Sequence, residues 1–187
     1  MNWLVNLACL SGIFAFSSSA YSWTRITWGA EISSGSVEVT SKSAKESSKT
    51  GAATSGGVLA RFEWLGLPGI TVGAGGSMFE LSGRNKDKKF KQTYSAGTGY
   101  FKAGVAMEAA EDSGIFLGGE YWARFGKGAA FDFEMSNTTV SSAMATLSYR
   151  MDDGYGWIPA LDLRAGNDLA SGGRKTTFVM AGVSLTR

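Results

Sequence analysis

The chain has 187 residues, enough for one domain, and its 26 glycines beside only two prolines are typical of β-rich rather than helical folds. A hydrophobic content of 44% without long apolar runs excludes a helical membrane domain, and a formal charge of only +2 argues against nucleic-acid binding. Histidine is absent, which removes the commonest general base and a frequent metal ligand, so we expect neither a metal nor a cofactor.

Residues 1–20 have the pattern of a cleavable secretory signal peptide. Their apolar stretch is shorter than the roughly 20 residues that a membrane-spanning helix needs, and the small residues Ser18 and Ala20 fit a signal-peptidase site. A buried N-terminal helix is the alternative. The only cysteine, Cys9, falls in this segment, so we expect the mature domain, residues 21–187, to contain no disulfide.

Apolar and polar residues alternate with period two from Tyr21 to the end of the chain, as in strands that have one face on each side of a sheet. In the first run, Ile26, Trp28 and Ala30 share one face, and Glu31 lies on the other. Seven further runs follow, which makes eight predicted strands. Each is about 9–11 residues long, the length that a tilted strand needs to cross a bilayer.

The predicted connections alternate between long and short. Residues 33–57 are rich in Ser, Thr, Gly and Lys without apolar periodicity, which predicts a long solvated loop. A second polar loop covers residues 84–91, and tight turns are predicted at residues 66–69, 111–114 and 152–156. An even number of strands places both termini on one side of the barrel, so the long polar loops would face outward from the cell.

Charged residues on the polar face come in pairs of opposite sign close together in the sequence, such as Asp162 and Arg164. A secreted soluble barrel that binds a ligand inside would show such charges to water. Glycines beside the charges, such as Gly73 and Gly75, favour instead a crowded interior, while lipid requires an apolar exterior. The predicted luminal charged network consists of Arg25, Glu31, Arg61, Glu63, Lys102, Glu108, Glu120, Arg124, Arg150, Asp162 and Arg164.

Aromatic residues also favour a membrane-spanning barrel. Several fall at strand ends beside the short turns, where an interfacial girdle would lie. Trp28 and Tyr121 do not fit this scheme, and some aromatic residues would simply fill core space. The predicted girdle consists of Tyr21, Trp23, Trp64, Tyr149 and Trp157.

Through its signal segment, eight alternating strands, loop order and alternating final strand, the chain resembles the OmpA-type and OmpX-type family of small outer-membrane barrels. The resemblance covers residues 21–187 and implies an all-β, eight-stranded, antiparallel up-and-down transmembrane β-barrel in the cell outer membrane. It implies periplasmic chaperones and the barrel-assembly machinery as partners, and we expect a monomer. Such barrels usually end in an aromatic residue, whereas Leu185, Thr186 and Arg187 close this sequence.

The barrel enzymes of this membrane are alike in depending on histidine, so none of their mechanisms fits this chain and no catalytic residue is predicted. We expect a structural or surface-interaction role in which the outer loops contact lipopolysaccharide, host or neighbouring surfaces. A narrow, porin-like channel and a secreted soluble ligand-binding barrel are the alternatives.

A cationic cluster in the predicted second loop lies where lipopolysaccharide phosphates would be, although its charges would also simply keep the loop solvated. The cluster consists of Arg84, Lys86, Lys88, Lys89 and Lys91.

Overall fold

The computed structural model describes residues 24–41, 49–64, 67–84, 91–129, 137–151, 156–169 and 174–187. The predicted signal peptide, residues 1–20, lies outside these ranges, so the division at residue 21 stays a prediction. Across the described ranges, no helix is long and apolar enough to cross a membrane.

Eight strands form one closed barrel in which each strand pairs antiparallel with its neighbours in the sequence, and β8 pairs with β1. Closure runs over a long register, from Gly29 opposite Thr186 to Ser41 opposite Arg174. The prediction of an all-β, eight-stranded, antiparallel up-and-down barrel is confirmed. The strands are β1 Thr24–Ser41, β2 Lys49–Trp64, β3 Gly69–Arg84, β4 Lys91–Glu108, β5 Ile115–Lys127, β6 Asn137–Arg150, β7 Ile158–Asp168 and β8 Arg174–Thr186.

The period-two alternation separates the two faces of the wall as the sequence predicts. On β7, Leu161 and Leu163 are each 52% exposed on the outside, whereas Asp162 and Arg164, which alternate with them, are buried inside. Successive side chains of a strand point to opposite faces, so closing the sheet turns one set inward and the other outward. In this part of the barrel the apolar set therefore covers the outer wall, and the charged set fills the interior.

The predicted long loop at residues 33–57 is wrong. Most of these residues extend β1 and β2, with Ser36 opposite Ala52 and Glu38 opposite Thr50. Ser34, Ser36 and Thr54 face outward there, while Val37 and Ala53 are buried inside. Strand pairing depends on backbone hydrogen bonds and does not need an apolar outer face. Where the outward residues are polar, a strand therefore lacks the apolar alternation that would predict it.

The strands are accordingly longer than predicted, from 11 residues in β7 to 18 in β1. The predicted alternation of long and short connections does not hold either, because the extended strands leave connections of overlapping length at the two ends. We call the end where β1 begins and β8 ends the terminal end, and the opposite end the far end. The far-end connections cover residues 42–48, 85–90, 128–136 and 169–173, and the terminal-end connections cover 65–68, 109–114 and 151–157.

The polarity of the wall reverses along the barrel. Towards the terminal end the outer wall is apolar and the interior is charged; towards the far end, outward positions such as Ser36 and Glu38 are polar. Burying apolar side chains stabilises the far end as it would a soluble barrel. The far-end core is a cluster of Val37, Val39, Ala53, Phe79, Leu81, Ala96, Tyr100, Trp122, Met144, Phe178 and Met180.

The far-end core gives a direct test of this reversal. Phe178 is 1% exposed inside the barrel, with its ring 6.1 Å from that of Phe79, so Phe178→Ala should lower the free energy of unfolding by about 3–5 kcal/mol. Its neighbour Val179 points outward and is 56% exposed, so Val179→Ala should cost clearly less. Urea unfolding of the full chain in detergent micelles, followed by tryptophan fluorescence, measures both; equal losses would contradict a packed far end.

Candidate functional site

Glu31 on β1 is the central acceptor of the barrel interior. Its Oε2 atom lies 2.6 Å from Lys102 Nζ on β4 and 2.8 Å from Arg164 Nη2 on β7. The hydroxyl of Tyr100 donates to the other carboxylate oxygen at 3.1 Å. Glu31, Lys102 and Arg164 are charged and buried, so each charge that has lost water is compensated by a partner.

Glu120 on β5 completes the central network from the other side. It accepts a hydrogen bond from Arg164 Nε at 3.0 Å and from the indole of Trp122 at 2.8 Å. Lys102 Nζ lies 3.4 Å from its second oxygen. Two carboxylates and two cations thus share one site, which carries no net charge and joins four different strands.

Two inward glycines make room for this arrangement. Glu31, Gly57, Gly75 and Tyr100 occupy one row of register partners across β1, β2, β3 and β4. A Cβ atom would lie 2.6 Å from the Tyr100 hydroxyl at Gly57 and 2.7 Å from it at Gly75. Glycine at these two positions leaves room for the Tyr100 side chain, which crosses two strands to reach Glu31. A larger residue at either position would collide with the tyrosine.

A second group of charges lies towards the terminal end. Arg61 donates to Ser184 Oγ at 2.8 Å and lies 4.0 Å from Asp162. Asp162 also accepts from Ser148. Arg150 pairs with Glu63 and stacks its guanidinium 3.6 Å from the centre of the Phe116 ring. The contacts of this group come from β2, β5, β6, β7 and β8, and they leave Arg150 Nε and Asp162 Oδ2 without a hydrogen-bond partner in the described part of the chain.

Arg124 closes the interior towards the far end. It pairs with Asp168 at 2.6 Å and donates to the backbone oxygen of Ala129 at 3.2 Å. Its guanidinium also lies 4.8 Å from the centre of the Phe178 ring and 5.3 Å from that of Phe79. A cation packed between two aromatic faces links the charged interior to the apolar far-end core.

The interior between these groups is nearly full. Tyr100 and Trp122 stack with ring centres 4.4 Å apart, across the middle of the lumen. A cavity of about 20 Å³ beside the network is lined by residues that include Arg61, Lys102 and Glu120. That volume holds about one water molecule. Within the described ranges, no three acidic or cysteine side chains cluster as metal ligands would.

The structure places most of the predicted luminal residues in these groups, but with different partners. Asp162 and Arg164, paired in the prediction, come within 3.8 Å of each other, but most of the ion pairs join different strands. Arg25 is exposed, and Glu108 accepts from the backbone nitrogen of Gly114 in the turn after β4. The pairs between strands are Glu31 with Lys102 and Arg164, Glu120 with Lys102 and Arg164, Glu63 with Arg150, Asp162 with Arg61, and Asp168 with Arg124.

Three contributors were missed from the sequence: Tyr100, Trp122 and Asp168. Tyr100 and Trp122 share the inward parity of Lys102 and Arg124, so parity already placed them in the lumen. They were overlooked because the prediction considered only charged side chains there. Asp168 ends β7, where the predicted run had given way to a loop.

The predicted lipopolysaccharide cluster is only partly described. Arg84 and Lys91 are register partners at the far end of β3 and β4, while Lys86, Lys88 and Lys89 lie outside the described residues. Of the predicted girdle, Tyr149 and Trp157 are exposed and Trp64 is half-buried; Tyr21 and Trp23 lie outside the described ranges.

Comparisons with known proteins give only distant structural neighbours. No protein-family model and no curated protein matches the sequence. The outer membrane protein OprG from Pseudomonas aeruginosa is 10% identical, with 88% of this chain and 92% of that chain covered and a TM-score of 0.44. Ail of Yersinia pestis is 8% identical, with coverages of 87% and 99% and a TM-score of 0.34. At these values the comparisons assign no family, and the OmpA-type and OmpX-type resemblance stays a prediction.

The central network predicts a large penalty for removing its shared acceptor. Glu31→Gln leaves the two buried cations Lys102 and Arg164 with a single carboxylate, that of Glu120, which should lower the free energy of unfolding by about 3–5 kcal/mol. The matched control is Glu80→Gln, since Glu80 on β3 points outward and is exposed. Urea unfolding in detergent micelles measures both variants. If Glu31→Gln unfolds at the same urea concentration as Glu80→Gln, the network does not stabilise the barrel.

Proposed function

We propose that the protein is a non-enzymatic β-barrel of the bacterial outer membrane with a structural or surface-interaction role. The observation that carries this proposal is the apolar outer wall, which continues around the barrel. Each of the eight strands exposes at least one large apolar side chain, for example Ile26, Val58, Val72, Phe101, Leu117, Leu147, Leu163 and Val183.

An apolar belt of this kind argues against the secreted soluble barrel. Soluble monomers rarely expose a continuous apolar patch larger than a few hundred Å², and a soluble barrel turns its apolar face inward. In lipid, exposing the same apolar side chains has no unfavourable free energy, and the closed sheet satisfies its backbone hydrogen bonds internally. The terminal-end part of the barrel thus has the arrangement that a bilayer requires.

The height of the belt also fits a bilayer. Outward apolar residues run from Ile26 to Ile32 on β1 and from Ile115 to Phe125 on β5. With a rise of about 3.3 Å per residue and a tilt of about 40°, these segments span roughly 15–25 Å, and the longer one matches the apolar band of about 25 Å in outer-membrane barrels. Polar residues then take over, at Ser34 on β1 and Lys127 on β5.

Charge distribution supports an orientation with the far end outside the cell. The two termini of such barrels lie on the periplasmic side, and anionic lipid surfaces attract cations. Acids outnumber cations at the terminal end, where Arg25 and Arg187 stand against Glu108, Glu111, Asp112, Asp152 and Asp153. Cations outnumber acids in and beside the far-end connections, which carry Lys42, Lys45, Lys49, Arg84, Lys86, Lys88, Lys89, Lys91, Lys127, Arg174 and Lys175 against Glu38, Glu46, Glu80, Asp87, Asp132 and Glu134.

The far end is therefore the surface to which we assign contact with lipopolysaccharide phosphates, through Arg84, Lys86, Lys88, Lys89 and Lys91. In this proposal the chain is a monomer that periplasmic chaperones and the barrel-assembly machinery bring to the membrane. The lack of histidine and the ion-paired interior support a role without catalysis. The packed lumen supports a closed barrel rather than the porin-like channel.

Fractionation of cells that express the full chain tests the location. We expect the protein in the outer-membrane fraction, soluble only with detergent, and its folded form should migrate differently on a gel from the boiled form because the barrel stays closed in detergent. Recovery from the soluble periplasm without detergent would overturn the membrane proposal.

A planar-bilayer recording tests the closed lumen. The purified barrel should give no sustained conductance steps, because the Tyr100–Trp122 stack and the Arg124–Asp168 pair obstruct the interior. Arg124→Ala combined with Phe178→Ala, which empties part of the far end, should raise the frequency of current steps relative to Val179→Ala. Sustained steps in the unmodified protein would favour the channel instead.

A further inference from the structure

The outer wall contains a groove near the terminal end. It has a volume of about 740 Å³, within the range of about 300–1,000 Å³ typical of small-ligand pockets. Its lining consists of glycine, aliphatic residues and tryptophan. Three outward alanines, Ala30, Ala60 and Ala74, lie in the lining of β1, β2 and β3. The methyl groups of these alanines leave the wall recessed between the larger side chains that border it.

Larger side chains border this recess. Trp28 is the register partner of Ala60, and Val58 is the partner of both Ala30 and Ala74. Trp157 belongs to the same lining. The lining of the groove is apolar throughout, which matches a hydrocarbon chain better than a polar ligand.

A cation stands beside the groove. The guanidinium of Arg187 lies 5.7 Å from the centre of the Trp157 ring. Its backbone exchanges two hydrogen bonds with Trp28, at 3.0 and 2.9 Å. Arg187 is thus paired with Trp28 through its backbone and lies over Trp157 with its exposed side chain, where the apolar belt gives way to the terminal end. Trp28, which did not fit the predicted girdle, belongs to the same row of residues as Trp157.

We infer that the groove binds a glycerophospholipid of the periplasmic leaflet, with an acyl chain along the alanines and its phosphate beside Arg187. The inference rests on the proposed outer-membrane location. An arginine placed between amphipathic tryptophans at the edge of an apolar surface complements a phosphate joined to a hydrocarbon chain. A second copy of the chain fits less well, because symmetric pairing through this groove would bring two Arg187 side chains together.

Native mass spectrometry of the full chain in detergent tests the site. The probes are a phosphatidylethanolamine and the diacylglycerol with identical acyl chains, which differ only in the phosphate headgroup. We expect the phospholipid to bind about fivefold more tightly, the effect of one arginine near a lipid phosphate. Arg187→Gln should remove this difference while leaving the binding of diacylglycerol unchanged. Equal binding of the two lipids to the unmodified protein would overturn the inference.

A pair of alanine variants tests the groove itself. Ala60→Phe fills the recess and should lower the binding of both lipids at least fivefold. Ala145→Phe adds the same ring to β6, at an outward, exposed position outside the groove lining, and should leave binding unchanged. Equal losses in the two variants would indicate lipid held nonspecifically around the belt, and a dimer that Ala60→Phe converts to monomer would identify a second copy as the occupant. If Ala60→Phe does not fold, Arg187→Gln alone decides the outcome.

Cell fractionation separates this inference from the proposed function. A protein found in the outer membrane but without preference for the phospholipid loses only the groove site. A protein found in the soluble fraction loses both the membrane location and the site.

Discussion

Glu31 accepts hydrogen bonds from Tyr100, Lys102 and Arg164, and the rest of the interior is arranged around this shared acceptor. An eight-stranded barrel is just wide enough for side chains from opposite walls to meet. A carboxylate on β1 is therefore reached directly from β4 and β7, and each cation that approaches it removes part of the cost of burying the other charges. The glycines at positions 57 and 75 follow from the same requirement, since any side chain there would collide with Tyr100.

The reversal of polarity along the axis explains how both halves of the barrel are stabilised. Where the outer wall is apolar, the interior is free to be polar, because the fold does not depend on an internal apolar core. Beyond the belt the outer wall faces water or polar headgroups, and Val37, Phe79 and Phe178 supply the apolar burial that the strands there would otherwise lack. Arg124 lies at the boundary, with its ion pair to Asp168 on one side and two aromatic rings on the other.

How far the sequence predicts this structure depends on the range of each interaction. Alternation is a property of neighbouring residues, so it identified the eight strands and the inward position of Arg61 and Asp162. It failed at residues 33–57, where outward serine and threonine replace the apolar set and resemble a loop. Ion pairing across the lumen was also missed, because residues two apart on a strand are separated by only about 7 Å along one wall, whereas Arg164 and Glu31 meet through barrel closure.

Pairing inside the barrel has a consequence for its surface. Since the ion pairs of the lumen join equal numbers of acids and cations, the net charge of +2 belongs to the two ends of the barrel. The charges of the cationic far end and of the acidic terminal end do not take part in the ion pairs of the interior. Folding therefore does not fix their signs, and the surroundings of each end can. Exposed charges at the ends of the barrel attract or repel charged ligands and lipid headgroups across the solvent and headgroup layer. The arginine beside the groove is therefore unusual for its end of the barrel, which is the physical reason to look for an anionic group there.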